Sequence, residues 1–221
     1  MVHIEKGPEP KELLDAKRKG LACYDDMDTP TKDVVKEQLF REQYQLCAYC
    51  MRRIYKETMQ IEHYIAQNPK DGSYDAAQTI NFRNMLGVCP GGKNEFHVYR
   101  DHTCDQHRKN IPLTVDPLNE NSVAKIKYSS SGEIYSDDPN IHKDLAVTLN
   151  LNGAASKLKE NRKSALDALK RWIQKEYGKT NIPSSEWQRI LTQYCTPRNG
   201  VKKEYIGIIE AYLKKKVRSA R

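Results

Sequence analysis

The sequence predicts an α+β fold, mainly α, in which a small metal-stapled core lies between helical segments. Three observations predict it. Apolar residues recur at helical spacing toward both ends of the chain. The middle lacks long apolar periodicity and is rich in Cys, His, Asn and Gly. The excess of basic over acidic residues lies in the last third.

The elements follow in chain order. Residues 11–19 and 32–46 carry helical patterning. From Cys47 to about Pro117 the chain is irregular, as expected of a fold that a metal holds because its apolar core is too small. Lys125-Ile126-Lys127-Tyr128, a Ser-rich turn ending in Gly132, and Glu133-Ile134-Tyr135 predict a hairpin. Beyond Ile141 helices dominate. Leu158, Ala165, Leu166, Leu169, Trp172 and Ile173 form one helical stripe, and Tyr205, Ile208, Ile209, Tyr212 and Leu213 form another. The expected division is therefore a helical segment over 1–46, a core over 47–140 and a basic helical lobe over 141–221.

Charge divides along the same line. The net charge is +8, yet residues 1–150 hold 20 Lys and Arg against 23 Asp and Glu, while residues 151–221 hold 17 against 6. A lobe of net +11 is suited to gripping a polyanion, and Lys202, Lys203, Lys214, Lys215 and Lys216 are its candidate nucleic-acid contacts. A solvated lysine-rich helical surface reads equally well from charge alone. No apolar run approaches the roughly 18 residues of a membrane span. The first residues, Met1-Val2-His3-Ile4-Glu5-Lys6, lack the apolar stretch of a secretory signal, so a cytoplasmic protein is expected. In that reducing setting six cysteines point to metal ligands or buried thiols rather than disulfides.

Cys47-Ala48-Tyr49-Cys50 places two thiolates where both can face one tetrahedral ion. Cys89 and Cys104 follow beside turn and polar residues, and the four together would close a structural Zn²⁺ site. Cys23 and Cys195 lie outside this set. Between the cysteine pairs stand Glu62-His63 and Asn84, and Cys104 is followed by Asp105-Gln106-His107.

In that order these residues resemble the HNH endonucleases, which carry Cys-x-x-Cys, an acidic residue with His at a strand end, an Asn, two further Cys and a polar ligand. Ile4-Glu5-Lys6-Gly7-Pro8, His102-Thr103-Cys104-Asp105, Asp116-Pro117-Leu118 and Leu149-Asn150-Leu151-Asn152 followed by Asn161-Arg162 resemble the PtuB-type proteins of bacterial Septu and retron-associated anti-phage systems. The resemblance covers most of the chain. It implies a zinc-stapled ββα-metal HNH core, a helical extension, a bacterial cytoplasmic setting and an ATPase partner of the ABC/SMC type (PtuA-like), with a retron reverse transcriptase and its msDNA as a further candidate. Two departures from the pattern stand out: Ala66 where a Pro is common, and an insertion between Cys89 and Cys104.

Phosphodiester hydrolysis then assigns the roles. His63 is the expected general base, since an imidazole can take a proton from water near neutral pH. Asn84 would orient His63 or the phosphate. Asp105 and His107 would compete to complete, with Glu62, a site for a catalytic Mg²⁺ or Mn²⁺. Neighbouring strand residues face opposite ways, so Glu62 and His63 can share one site only at a strand end or bulge, and Glu62 otherwise supports the site from behind. Asp105 can instead cap a helix, and His107 can replace a cysteine as zinc ligand. The substrate is DNA by default and RNA such as tRNA in competition. A non-catalytic zinc-knuckle adaptor that binds nucleic acid is the alternative.

Overall fold

The fold was obtained as a computed structural model that describes residues 1–68, 72, 75–93, 95, 97–178 and 181–220. In chain order the elements are α1 (Lys11–Arg18), α2 (Thr29–Glu42), β1 (Gln60–His63), α3 (Ala76–Thr79), β2 (Met85–Val88), α4 (Cys104–Arg108), α5 (Glu120–Ala124), β3 (Ile126–Tyr128), β4 (Ile134–Ser136), α6 (Pro139–Lys143), α7 (Leu158–Tyr177), α8 (Ser184–Cys195) and α9 (Ile206–Ser219). Single 3-10 turns cover Phe82–Asn84 and Tyr99–Asp101, and a π-helical turn covers Asp144–Thr148. The fold is α+β and mainly helical, with two antiparallel two-stranded sheets, β1–β2 and β3–β4. No helix among the described residues is long and apolar enough to cross a membrane.

Helix α2 differs from the predicted span at both ends, for local reasons. It begins at Thr29 because Asp28 accepts a hydrogen bond from Thr31 N at 2.8 Å and Pro30 occupies the first turn. It ends at Glu42 because Tyr44 and Gln45 take positive φ and turn the chain toward Cys47. Gln43, buried at this end, uses its side-chain amide as a strand edge. Its Nε2 donates to Gly87 O at 2.7 Å, and its Oε1 accepts from Gly87 N at 2.6 Å. Lys6 closes the other side of the joint. Its buried amino group donates to Glu42 at 2.6 Å and to Met85 O at 3.0 Å and lies over the Phe82 ring.

One continuous buried cluster draws on all parts of the chain, including Leu39 from α2, Leu86 from β2, Ile134 from β4, Leu158 from α7 and Leu213 from α9. The two C-terminal stripes face it: Leu166, Leu169 and Ile173 of α7 and Ile208, Ile209 and Leu213 of α9 are buried. The apolar face of α9 therefore completes the protein's own core. Gly207 sets how closely that helix approaches. A Cβ there would lie 2.5 Å from the Tyr128 hydroxyl, 2.9 Å from Met1 O and 2.9 Å from Met51 Sδ. Tyr205 N also donates to Met51 O at 3.0 Å, which docks the start of α9 on the Cys47–Cys50 turn.

Candidate metal centre and active site

Four cysteines converge in the interior. Their Sγ atoms lie within 4.8 Å of one another, and all four residues are buried. Cys47 and Cys50 stand on a tight turn closed by Cys47 N to Arg52 O at 2.9 Å and Met51 N to Cys47 O at 3.0 Å, with Met51 at φ 62°. Cys89 leaves the end of β2. Cys104 opens α4 at φ 56°, a conformation that favours glycine, and its N–H is held by Leu149 O at 2.9 Å. That strained start turns Sγ inward. Gly91 is needed beside it, since a Cβ at φ 61° would fall 2.3 Å from Thr103 O.

The spacing fits a tetrahedral ion. Cys47–Cys104, Cys50–Cys89 and Cys89–Cys104 are 3.9, 3.7 and 3.8 Å apart. Sulfurs placed about 2.3 Å from one Zn²⁺ stand about 3.8 Å apart, whereas a disulfide would need about 2.05 Å. Burial opposes charge on Cys47, but hydrogen bonding from Cys104, Cys50 and Cys89 outweighs it and holds this thiol well below the usual range. Hydrogen bonding to Cys47, Cys50 and Cys89, with burial, pushes Cys104 well above it. All four sulfurs could ionise together only around a cation, and the quartet can hold a metal ion such as zinc. The four cysteines would suffice for a tetrahedral ion, and His107 is not in their group.

The sheet β1–β2 and helix α4 rest on this staple. β1 pairs with β2 in the register Gln60 to Val88 and His63 to Met85. Helix α4 lies against β1 through Gln106 to Gln60 at 3.2 Å and through Arg108. The Arg108 side chain is fully buried. It donates to Glu62, Tyr49 Oη (3.0 Å), Ile111 O (2.8 Å), His63 O (3.3 Å) and Tyr64 O. Tyr49 donates to Glu62 at 2.9 Å. Burial pushes the Glu62 carboxyl up to about 8 against the pull of Arg108, and neighbouring Asp105 adds to the push.

His63 ends β1 next to Glu62, and Asp105 lies within electrostatic reach of both. The His63 Nε2 donates to Thr79 O at 2.8 Å, and the Tyr24 ring packs edge-on at 4.9 Å. Burial holds the imidazole below its ordinary value, while the Thr79 carbonyl and the Asp105 and Asp25 carboxylates oppose that shift. Asn84 spends its amide on the following loop: Nδ2 donates to Ile65 O and Gln78 O, both at 3.0 Å, and Oδ1 accepts from Ile65 N at 2.7 Å. It thereby fixes the segment that carries the Thr79 carbonyl.

Asp105 lies in the first turn of α4, whose N-cap, Thr103, makes no side-chain cap bond. It stands beside Glu62 and within electrostatic reach of His63. His107 sits elsewhere: Nδ1 donates to Thr148 O at 3.1 Å, and the ring stacks on Tyr99 at 4.7 Å. Among the described residues the cysteine quartet is the one convergence of three or more such ligands, so Glu62, Asp105 and His107 do not form a closed cage. Sequence reading missed Tyr24, Tyr49, Thr79 and Arg108. Only the third dimension brings them to this centre.

The candidate lysines are spread over the C-terminal lobe. Lys202 lies over the Tyr44 ring at 4.3 Å and Lys203 over Tyr194 at 3.9 Å. Lys214 pairs with Glu210 at 2.5 Å, and Lys216 lies near Trp187 and Tyr212. No family model matches the chain, and no curated protein matches it.

Proposed function

We propose that this chain is a metal-dependent phosphodiesterase of the HNH type, in which a four-cysteine zinc staple holds a catalytic centre of His63, Glu62 and Asp105. One observation carries the reading: His63 Nε2 donates to the Thr79 carbonyl. A carbonyl can only accept, so the neutral ring keeps its proton on Nε2 and presents Nδ1 as the base.

The carboxyl pair supports it. Asp105 opposes charge on Glu62, which Arg108 already pairs, and a divalent cation beside both carboxyls would favour the charged form of each. These carboxylates would hold Mg²⁺ or Mn²⁺, which supplies charge neutralisation at the scissile phosphate. His63 Nδ1 takes a proton from water as the water oxygen bonds to phosphorus. The bond from phosphorus to the leaving oxygen breaks, and that oxygen is protonated from solvent. Arg108 and Tyr49 position Glu62, and Asn84 positions the loop behind His63. His107 lies outside this chemistry.

DNA is the default substrate and RNA the competitor. The HNH resemblance adds a bacterial defence role and an ATPase partner to the proposal. Because the α9 stripe is buried, such a partner would dock on another surface. The test is digestion of plasmid DNA and total RNA, side by side, with added Mg²⁺ or Mn²⁺. Cation-dependent loss of either substrate supports the reading, and both surviving undigested contradicts it.

A further inference from the structure

A groove of about 350 Å³ opens on the C-terminal lobe between α7, α9 and the turn after β3. Lys170 of α7 and Lys215 and Lys216 of α9 line it, with Ser129 and Ser130 of the turn after β3, and none of its lining residues is acidic. Leu166, Ile208 and Ala211 give it an apolar floor. The Tyr212 ring lies 5.7 Å from Lys170 Nζ and 5.6 Å from Lys216 Nζ. Lys214, one residue from Lys215, is instead paired with Glu210 and does not line the groove.

Three lysines lining one small concavity with no acidic residue among its lining make it a cationic site that an anion would join. A phosphate has the charge and the oxygens to reach all three. The apolar floor and the Tyr212 ring want a flat, apolar body beside that charge, and base–aromatic stacking contributes about 1–3 kcal/mol. The groove's volume is at the small end of the about 300–1,000 Å³ range of ligand pockets, which suits one nucleotide.

We propose that this groove binds one nucleoside monophosphate unit, its phosphate on Lys170, Lys215 and Lys216 and its base against Tyr212. The unit can come from a free nucleotide or from an unpaired strand end. The assignment rests on the groove's own lining and stands or falls apart from the cleavage chemistry, because binding is measured without added divalent cation.

The experiment titrates the full chain with AMP, with a 5′-phosphorylated oligothymidine and with a blunt duplex, followed by tyrosine fluorescence and calorimetry. AMP or the oligothymidine should bind more tightly than the duplex. Binding by AMP as well as the oligothymidine assigns a free nucleotide, and binding by the oligothymidine alone assigns a strand end. Lys170→Gln and Lys215→Gln should each weaken binding about tenfold, the loss of one charge-assisted contact, and Lys214→Gln by less than about twofold. Tyr212→Leu should weaken the nucleotide but leave inorganic phosphate unchanged. Absence of binding by both single-stranded probes overturns the assignment, as does a Lys214→Gln loss equal to that of Lys170→Gln.

Discussion

The His63 imidazole donates Nε2–H to the carbonyl oxygen of Thr79 at 2.8 Å, and this single bond decides which ring nitrogen is free to act as a base. Thr79 ends α3, and its side chain is occupied as well: Oγ1 accepts from Tyr24 N at 3.0 Å and donates to Ala76 O at 2.7 Å. The loop before α2 and the segment before β2 thus close on His63 together.

The pH dependence of cleavage follows from that environment. The base works unprotonated, and burial holds His63 below its ordinary value. A cation at the neighbouring carboxylates would shift it the same way. The rate should rise with pH through a midpoint below that of an exposed histidine and be level by neutral pH. A pH–rate profile at saturating metal checks this. A midpoint above that of an exposed histidine would contradict it.

The metal quartet predicts stoichiometry. Purified protein should carry about one Zn²⁺ per chain, and Cys47→Ser or Cys50→Ser should release it and loosen the core. Elemental analysis beside a thermal melt is the check. Folded, freshly prepared protein without zinc would rule the staple out.

Asp105 and His107 should separate cleanly. Asp105 shares the centre with Glu62, whereas His107 is tied to Thr148 O and stacked on Tyr99. Asp105→Asn should raise the Mn²⁺ needed for half-maximal cleavage about tenfold or more, the loss of one charged ligand. His107→Ala should change it by less than about twofold. The reverse order would move the metal site to His107.

Gly207 should tolerate no side chain. Gly207→Ala sets a Cβ 2.5 Å from the Tyr128 hydroxyl and 2.9 Å from Met1 O. Such overpacking typically costs about 1–3 kcal/mol. Denaturant unfolding should show the loss, and unchanged stability would mean that α9 shifts without cost.

What could be seen in the sequence was what local pattern records. The β3–β4 hairpin lies where the Ser-rich turn placed it, and the α7 and α9 stripes are buried as their spacing implied. The cysteine quartet converges although 14 residues separate Cys89 from Cys104, because Gly91 and the strained start of α4 return the chain. What stayed hidden were tertiary partnerships of charged and polar groups. Arg108 and Arg162 are both fully buried; Arg162 donates to Gly132 O, Leu151 O and Asn152 Oδ1. No periodicity marks a side chain whose partners lie on other elements. The roles of Tyr24 and Thr79 at His63 were hidden for the same reason.

The most direct measurement compares cation-dependent cleavage by the wild type and by His63→Ala at matched zinc content and thermal midpoint. Among the described residues the His63 side chain hydrogen-bonds the Thr79 carbonyl and is not in the cysteine group, so the variant should stay folded and zinc-loaded. Cleavage should fall by about 10²-fold or more, the range removed with a general base. A variant that retains zinc and fold and still cuts at the wild-type rate would place the base elsewhere and contradict the account.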